Sequence, residues 1–267
     1  MTMSKGSYAQ VNGLNMYYEM HGEGQPLVLL HGAFSAIGTS FGKLLPDLAK
    51  ERQVIAVEMQ GHGHTADIDR PLRYEQLADD IAALLTKIGL EQADLFGWSL
   101  GAGVALQTAI RHPEVVRKLV LASVTYNRGG LYPELLAGIE HSKSEDLAGT
   151  PFYEEYTSIA PHPQDFPRLF TKQQQLDNEV QDWPVEAIRA IKAPTLLIIG
   201  DSDVVRPEHT VELFRLLGGG VAGDLVGLPC SQLAVLPGTT HVTLVDRAEW
   251  LVSMITQFLD VKDAKGK

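Results

Sequence analysis

A serine stands between two glycines in Gly97-Trp98-Ser99-Leu100-Gly101, and its surroundings have the pattern that activates a hydroxyl. The apolar run Ala93 to Phe96 predicts a short buried strand, and the proline-free stretch Ala102 to Arg111 predicts a helix. Ser99 is therefore expected on a strand-to-helix hinge, where glycines on either side remove Cβ atoms that would collide with neighbouring elements. Amides opening the helix, that of Leu100 among them, would aim partial positive charge at negative charge developing beside the serine. A serine is a poor nucleophile until an imidazole takes its proton, and the imidazole needs a carboxylate to fix its tautomer. Asp203, after the strand-like Pro194 to Gly200, and His241, after Ser231 to Leu236 and a Pro-Gly turn, meet those needs. All three lie on loops leaving the carboxyl ends of predicted parallel strands, the edge where doubly wound sheets bind ligands.

The elements that must carry these groups alternate along the chain. Tyr8 to Val11 and Leu14 to Met20 flank Asn12-Gly13 and predict a hairpin. Pro26 to Leu30 is continuously apolar, as in a strand covered on both faces, and ends in His31-Gly32-Ala33-Phe34. Gly32 lets the backbone bend so that the Ala33 amide becomes a second oxyanion donor, while the His31 side chain is read as a buried anchor. A helix over Phe41 to Lys50, interrupted by Pro46, and a strand over Gln53 to Val57 are expected next. Tyr74, Leu77, Ala78, Ile81, Leu84, Leu85 and Ile88 form one helical stripe with Asp79, Asp80 and Lys87 off it. Lys118 to Val124 adds a strand, Glu208 to Leu217 a helix, and Arg247 to Leu259 the last helix, before a lysine-rich tail expected to fray. Such alternation means a parallel sheet with helices on both faces.

Between Val124 and Pro194 the rhythm breaks, so most of Arg128 to Ala190 is expected to be an insertion above Ser99, a lid. Eight of the 19 aromatic residues lie there or at its threshold: Tyr126, Tyr132, Phe152, Tyr153, Tyr156, Phe166, Phe170 and Trp183. They fit either an apolar pocket or the glue that fixes short helices to the body. Phe34, Trp98, Tyr126, Tyr153 and Phe170 are the candidate pocket residues.

With 22 basic and 33 acidic residues the net charge is −11, which disfavours nucleic acid and anionic lipid as partners. Met1 to Gln10 shows no apolar stretch, and the single Cys230 cannot form an internal disulfide, so a cytoplasmic setting is expected. His62-x-His64 with Asp67 lacks a full metal-ligand spacing and reads as a hydrogen-bonded loop, and no metal or cofactor is expected. His112 reads as a helix end, Asp67 and Asp94 as surface acids, and Cys230 as a packed or loop thiol without a nucleophile's surroundings.

His31-Gly32, Gly61-His62-Gly63, the serine hinge, Gly200-Asp201-Ser202-Asp203 with Pro207, and Gly238-Thr239-Thr240-His241 together resemble the α/β-hydrolase superfamily. The resemblance spans nearly the whole chain, in the branch of small lidded esterases, peroxidase-like hydrolases and carbon-carbon bond hydrolases. It implies a mostly parallel eight-stranded sheet flanked by helices, with residues 1–126 and 191–267 as core and 127–190 as a helical lid after the sixth strand. It also puts the acid on Asp203 and leaves Asp201 a loop role. Glu58 and Gln60 depart from the Asp-x-Arg-Gly-His-Gly of many relatives, which affects a structural charge pairing and not the catalytic groups. Serine at position 99 argues against the dehalogenase and epoxide hydrolase branches. The expected activity is hydrolysis of a small apolar or aromatic ester through an acyl-enzyme. Carbon-carbon bond or lactone cleavage with the same triad is the alternative, with Arg128, Arg168 and Lys172 available to hold a carboxylate, and a ligand receptor on this fold is the non-enzyme alternative.

Overall fold

The computed structural model describes residues 6–179 and 182–261. The hairpin forms as the dipeptide dictates: Asn12 and Gly13 take φ of +47° and +87° between β1 (Ser7–Val11) and β2 (Leu14–His21). Then come β3 (Gln25–Leu30), β4 (Arg52–Val57), β5 (Ala93–Trp98), β6 (Val116–Ala122), β7 (Thr195–Ser202) and β8 (Gln232–Thr240). They form one sheet in the order β1-β2-β4-β3-β5-β6-β7-β8, antiparallel at β1-β2 and β2-β4 and parallel elsewhere.

The helices are α1 (Ile37–Phe41), α2 (Leu45–Leu48), α3 (Tyr74–Lys87), α4 (Leu100–Arg111), α5 (Pro133–His141), α6 (Pro151–Ile159), α7 (Phe166–Asn178), α8 (Val185–Ala190), α9 (Pro207–Leu216), α10 (Gly223–Val226) and α11 (Ala248–Asp260). Alternation along the strands sends Val28, Leu30, Ile55 and Val57 to one face, against α3 and α4. Leu27, Leu29, Val54 and Phe96 go to the other, against Phe41 and the Ile255 and Phe258 of α11.

Several boundaries differ from expectation for local reasons. β5 runs two residues past Phe96 because Gly97 and Trp98 still pair with Leu121 and Ala122, and α4 starts at once with Leu100. The helix expected over Phe41 to Lys50 is two short ones, broken after Phe41, with Pro46 in the first turn of the second, where its missing N–H costs nothing. β8 continues beyond Leu236 because Thr240 pairs with Ser202.

Of the two acids expected at the surface, Asp94 is buried and Asp67 half-buried, and like the buried Asp80 each is bound to a cation the sequence does not advertise. Asp94 has no exposure and meets Arg117 and Arg52; Asp80 meets Arg70 and Asn12; Asp67 meets Lys172 at 2.7 Å and Arg168 at 2.9 Å. Burial pushes the Asp80 and Asp94 carboxyls up against the pull of their arginines.

Helices α5 to α8 lie between β6 and β7 in the chain, and polar contacts tie them to the body. Lys172 on α7 also donates to the carbonyls of Ile68 and Arg70 at 2.7 Å each, and Glu155 on α6 accepts from the amides of Ala36 and Thr39 at 3.1 Å each. The lysine-rich tail expected to fray falls at residues 262–267, outside the described residues, as do residues 1–5. No helix among the described residues is long and apolar enough to cross a membrane.

Candidate active site

Ser99 joins β5 to α4 with φ +56° and ψ −119°, a conformation that costs a non-glycine residue on the order of 1–3 kcal/mol. The surroundings hold it there. Its amide donates to the Ala122 carbonyl at 2.9 Å, and its carbonyl accepts from the amides of Ala102 and Gly103 at 3.0 and 3.1 Å. A Cβ on Gly97 would fall 2.2 Å from the Gly101 carbonyl oxygen, and one on Gly101 would fall 2.0 Å from that of Leu30. Both flanking glycines are thus required for the hinge to close against β3.

The three groups singled out from the sequence come together although Ser99 and His241 are 142 residues apart. His241 Nε2 lies 2.9 Å from Ser99 Oγ, and its Nδ1 lies 2.8 Å from Asp203 Oδ1. Asp203 also accepts from the Val205 amide at 3.1 Å on Oδ1 and from Ser123 Oγ at 2.5 Å on Oδ2. Burial raises the Asp203 carboxyl, but the hydrogen bonds and charge of His241, with Ser123 and the Val205 amide, outweigh it and hold the group below the usual carboxylate range. An ionised Asp203 places the imidazole proton on Nδ1 and leaves Nε2 free to accept the serine proton.

Asp201 has the loop role expected of it, accepting from the amides of Gly238 and Thr239 at 2.9 and 3.1 Å and so fixing the turn before His241. Ser123 is a member of the site that sequence reasoning missed. It directly follows β6 with φ +55°, and a small polar residue just past the carboxyl end of a parallel strand was the available signal.

The other singled-out groups sit elsewhere. His31 is fully buried, with Nδ1 on the Gly32 carbonyl at 2.8 Å and Nε2 accepting from the Met59 amide at 3.0 Å; burial lowers it to about 3. His62 turns to the Gln60 carbonyl and His64 to Glu58, both at 2.9 Å, while Lys172 and Arg168 take Asp67. Gln60 bridges Asp67 and Arg70, so the departure from the Asp-x-Arg pattern rewires this loop without touching the triad. His112 ends α4 and binds Asp79 at 2.7 Å, and Cys230 is exposed.

Ser99 and His241 open into a cavity of about 450 Å³. Ala33 and Leu100, the proposed amide donors, line it beside Ser99, with Leu100 the first residue of α4, whose amide has no acceptor within its own helix. Of the five expected pocket residues only Phe34 lines it. Trp98 follows the alternation of β5 to the face of Phe96 and packs 5.7 Å from the His241 ring. Tyr126 stacks on His209 at 4.6 Å, Tyr153 meets Phe166 edge-on at 5.0 Å, and Phe170 stacks on Phe34 at 5.4 Å. Of these rings Phe170 joins an inserted helix to the body, Tyr153 joins α6 to α7, and Trp98 and Tyr126 pack within the body. The wall is aliphatic instead: Leu131, Leu135, Ile139, Leu147 and Leu176, with Tyr74, Arg128, Gln173, Asp177 and Glu179 as its polar part. Burial pushes the Asp177 carboxyl up to about 6, against the hydrogen bond it receives from Gln173.

Residues 25–189 match the family model described as alpha/beta hydrolase fold. The chain belongs to the α/β-hydrolase fold family. This α/β-hydrolase is 29% identical to the 2-hydroxymuconate semialdehyde hydrolase of Pseudomonas sp. (strain CF600), over 91% of this chain and 89% of that protein. It is 24% identical to the pimeloyl-[acyl-carrier protein] methyl ester esterase of Aeromonas hydrophila, over 92% of this chain and all of the other. In fold it is similar to the meta-cleavage product hydrolase of Pseudomonas fluorescens IP01, with a TM-score of 0.76 and 23% identity, covering 96% and 97% of the two chains. Relatives of this hydrolase therefore include both a semialdehyde hydrolase and a methyl ester esterase.

Proposed function

We propose that this α/β-hydrolase cleaves a carboxylic ester through an acyl-enzyme on Ser99. The observation that carries the reading is the unbroken hydrogen-bonded run Ser99 Oγ, His241, Asp203, ending at the cavity. As Ser99 Oγ attacks the carbonyl carbon, its proton passes to His241 Nε2, and the imidazolium is stabilised by Asp203. The carbonyl oxygen becomes an oxyanion received by the amides of Ala33 and Leu100. Collapse of this intermediate breaks the bond to the alcohol oxygen, which leaves with the proton from His241. Water then gives its proton to His241, attacks the acyl carbon and releases the acid, and Ser99 recovers its proton. Residues 127–190 act as a lid that supplies the aliphatic wall, suiting a small apolar substrate.

Cleavage of a carbon-carbon bond is the second reading, favoured by the likeness to 2-hydroxymuconate semialdehyde hydrolases and by Arg128 in the cavity wall. Against it, Arg168 and Lys172 are engaged by Asp67 and do not line the cavity, while Asp177 and Glu179 share the wall with Arg128 and repel a substrate carboxylate. The test compares p-nitrophenyl esters of graded acyl length with a vinylogous diketone acid. We expect kcat/KM for the best ester to exceed that for the diketone acid by about tenfold or more. Cleavage of the diketone acid with negligible ester turnover would replace the ester reading.

A further inference from the structure

The loop that carries the Ala33 amide is clamped from above by the inserted helices. Glu155 on α6 reaches across 119 residues of sequence to accept from the Ala36 amide at 3.1 Å. Its other oxygen accepts from the Thr39 amide at 3.1 Å, and the Thr39 hydroxyl also donates to this carboxylate. Gly38 makes the approach possible, since a Cβ there would lie 2.2 Å from Glu155 Oε1. Next to Ala33, Phe34 is held at φ +59°, a conformation L side chains rarely adopt, with its ring 5.4 Å from Phe170 and 6.1 Å from Phe166 on α7. From the body side, the loop has the Ser35 hydroxyl on the Gly32 carbonyl at 2.8 Å and the Ser40 hydroxyl 3.4 Å from the Gly32 amide. Between these lies Ala33, whose amide is to receive the oxyanion together with that of Leu100.

We infer that Glu155 is a positioning residue: by holding the Ala36–Thr39 backbone it sets the aim of the Ala33 amide, so that the oxyanion hole is complete only when the inserted helices are seated. This rests on the serine-ester reading. A donor aimed at charge that appears only in the transition state acts on kcat and not on ground-state binding, so its misplacement has a distinct kinetic signature. A carboxylate that merely tethered the lid would alter stability, or KM through the cavity wall, and leave kcat alone.

Two variants test this by different routes. Glu155→Ala removes the acceptor. Gly38→Ala keeps Glu155 but drives its flexible carboxylate off the loop, at a position where alanine suits the helix better than glycine. Both are expected to lower kcat for p-nitrophenyl butyrate about 10- to 100-fold with KM within about threefold of wild type. Affinity for an alkyl boronic acid, whose tetrahedral adduct on Ser99 puts an oxygen in the hole, should fall by the same factor as kcat/KM. Glu155→Gln, which keeps one acceptor oxygen, should fall between Glu155→Ala and wild type, and it carries the test if the alanine variant does not fold. Wild-type kcat and boronate affinity in Gly38→Ala and Glu155→Gln, or a rise in KM alone, would overturn the inference. Ester turnover surviving in Ser99→Ala would instead remove the serine reading beneath it; a dead Ser99→Ala beside a fully active Glu155→Ala would remove only the role of Glu155.

Discussion

Replacing Ser99 with alanine is expected to lower turnover of p-nitrophenyl butyrate by about 10,000-fold or more, with far-UV circular dichroism and melting temperature close to wild type. The loss is that large because the covalent route vanishes with Oγ, and what remains is an amide pair and a cavity able to polarise the ester for water. The fold should not notice. The strained backbone at position 99 is imposed by Gly97, Gly101 and the Ala122 carbonyl, none of which depends on the hydroxyl. Undiminished turnover in a folded variant would mean that some other group attacks the carbonyl.

Asp203→Asn is expected to cost about 1,000- to 10,000-fold in kcat with little change in KM. The amide can offer its oxygen either to the Val205 amide and the imidazole or to Ser123, and its nitrogen must then face one of the partners that the carboxylate satisfied on both sides. With an N–H turned toward His241 Nδ1, the imidazole proton shifts to Nε2, the atom that has to accept from Ser99. The same carboxyl makes a pH prediction of definite sign. Its folded-state value lies below the ordinary one, so the stability it contributes is fully present above about pH 4 and is lost as pH falls through the depressed folded value. The melting-temperature gap between wild type and Asp203→Asn should therefore hold steady from pH 8 to about pH 5 and narrow only in stronger acid. A gap that narrows already near pH 7 would show that the native carboxyl is not held ionised.

The hinge and both partner loops were readable from the sequence because each is a local event. Glycines flank Ser99 where a Cβ would fall 2.0 and 2.2 Å from backbone oxygens, and Asp203 and His241 each follow an apolar run that reads as a strand. The wall of the cavity was not readable in that way. Aromatic density between Val124 and Pro194 reports burial, but a ring's partner is set by tertiary packing, and Tyr126, Tyr153 and Phe170 found His209, Phe166 and Phe34. The aliphatic residues that do face Ser99, such as Leu131, Leu135 and Ile139, recur every fourth position, a pattern that equally describes a core stripe. Paired acids were hidden for a related reason. Asp67 meets a lysine 105 positions away, and nothing near it in the chain announces the pairing.

The nucleophile is tested most directly by incubating the protein with an alkyl fluorophosphonate and locating the adduct by intact-mass and peptide mass spectrometry. A single phosphonyl group on Ser99, appearing in step with the loss of ester turnover, is the expected result. An adduct on a different residue that abolishes turnover, or ester hydrolysis continuing undiminished in fully labelled protein, would contradict it.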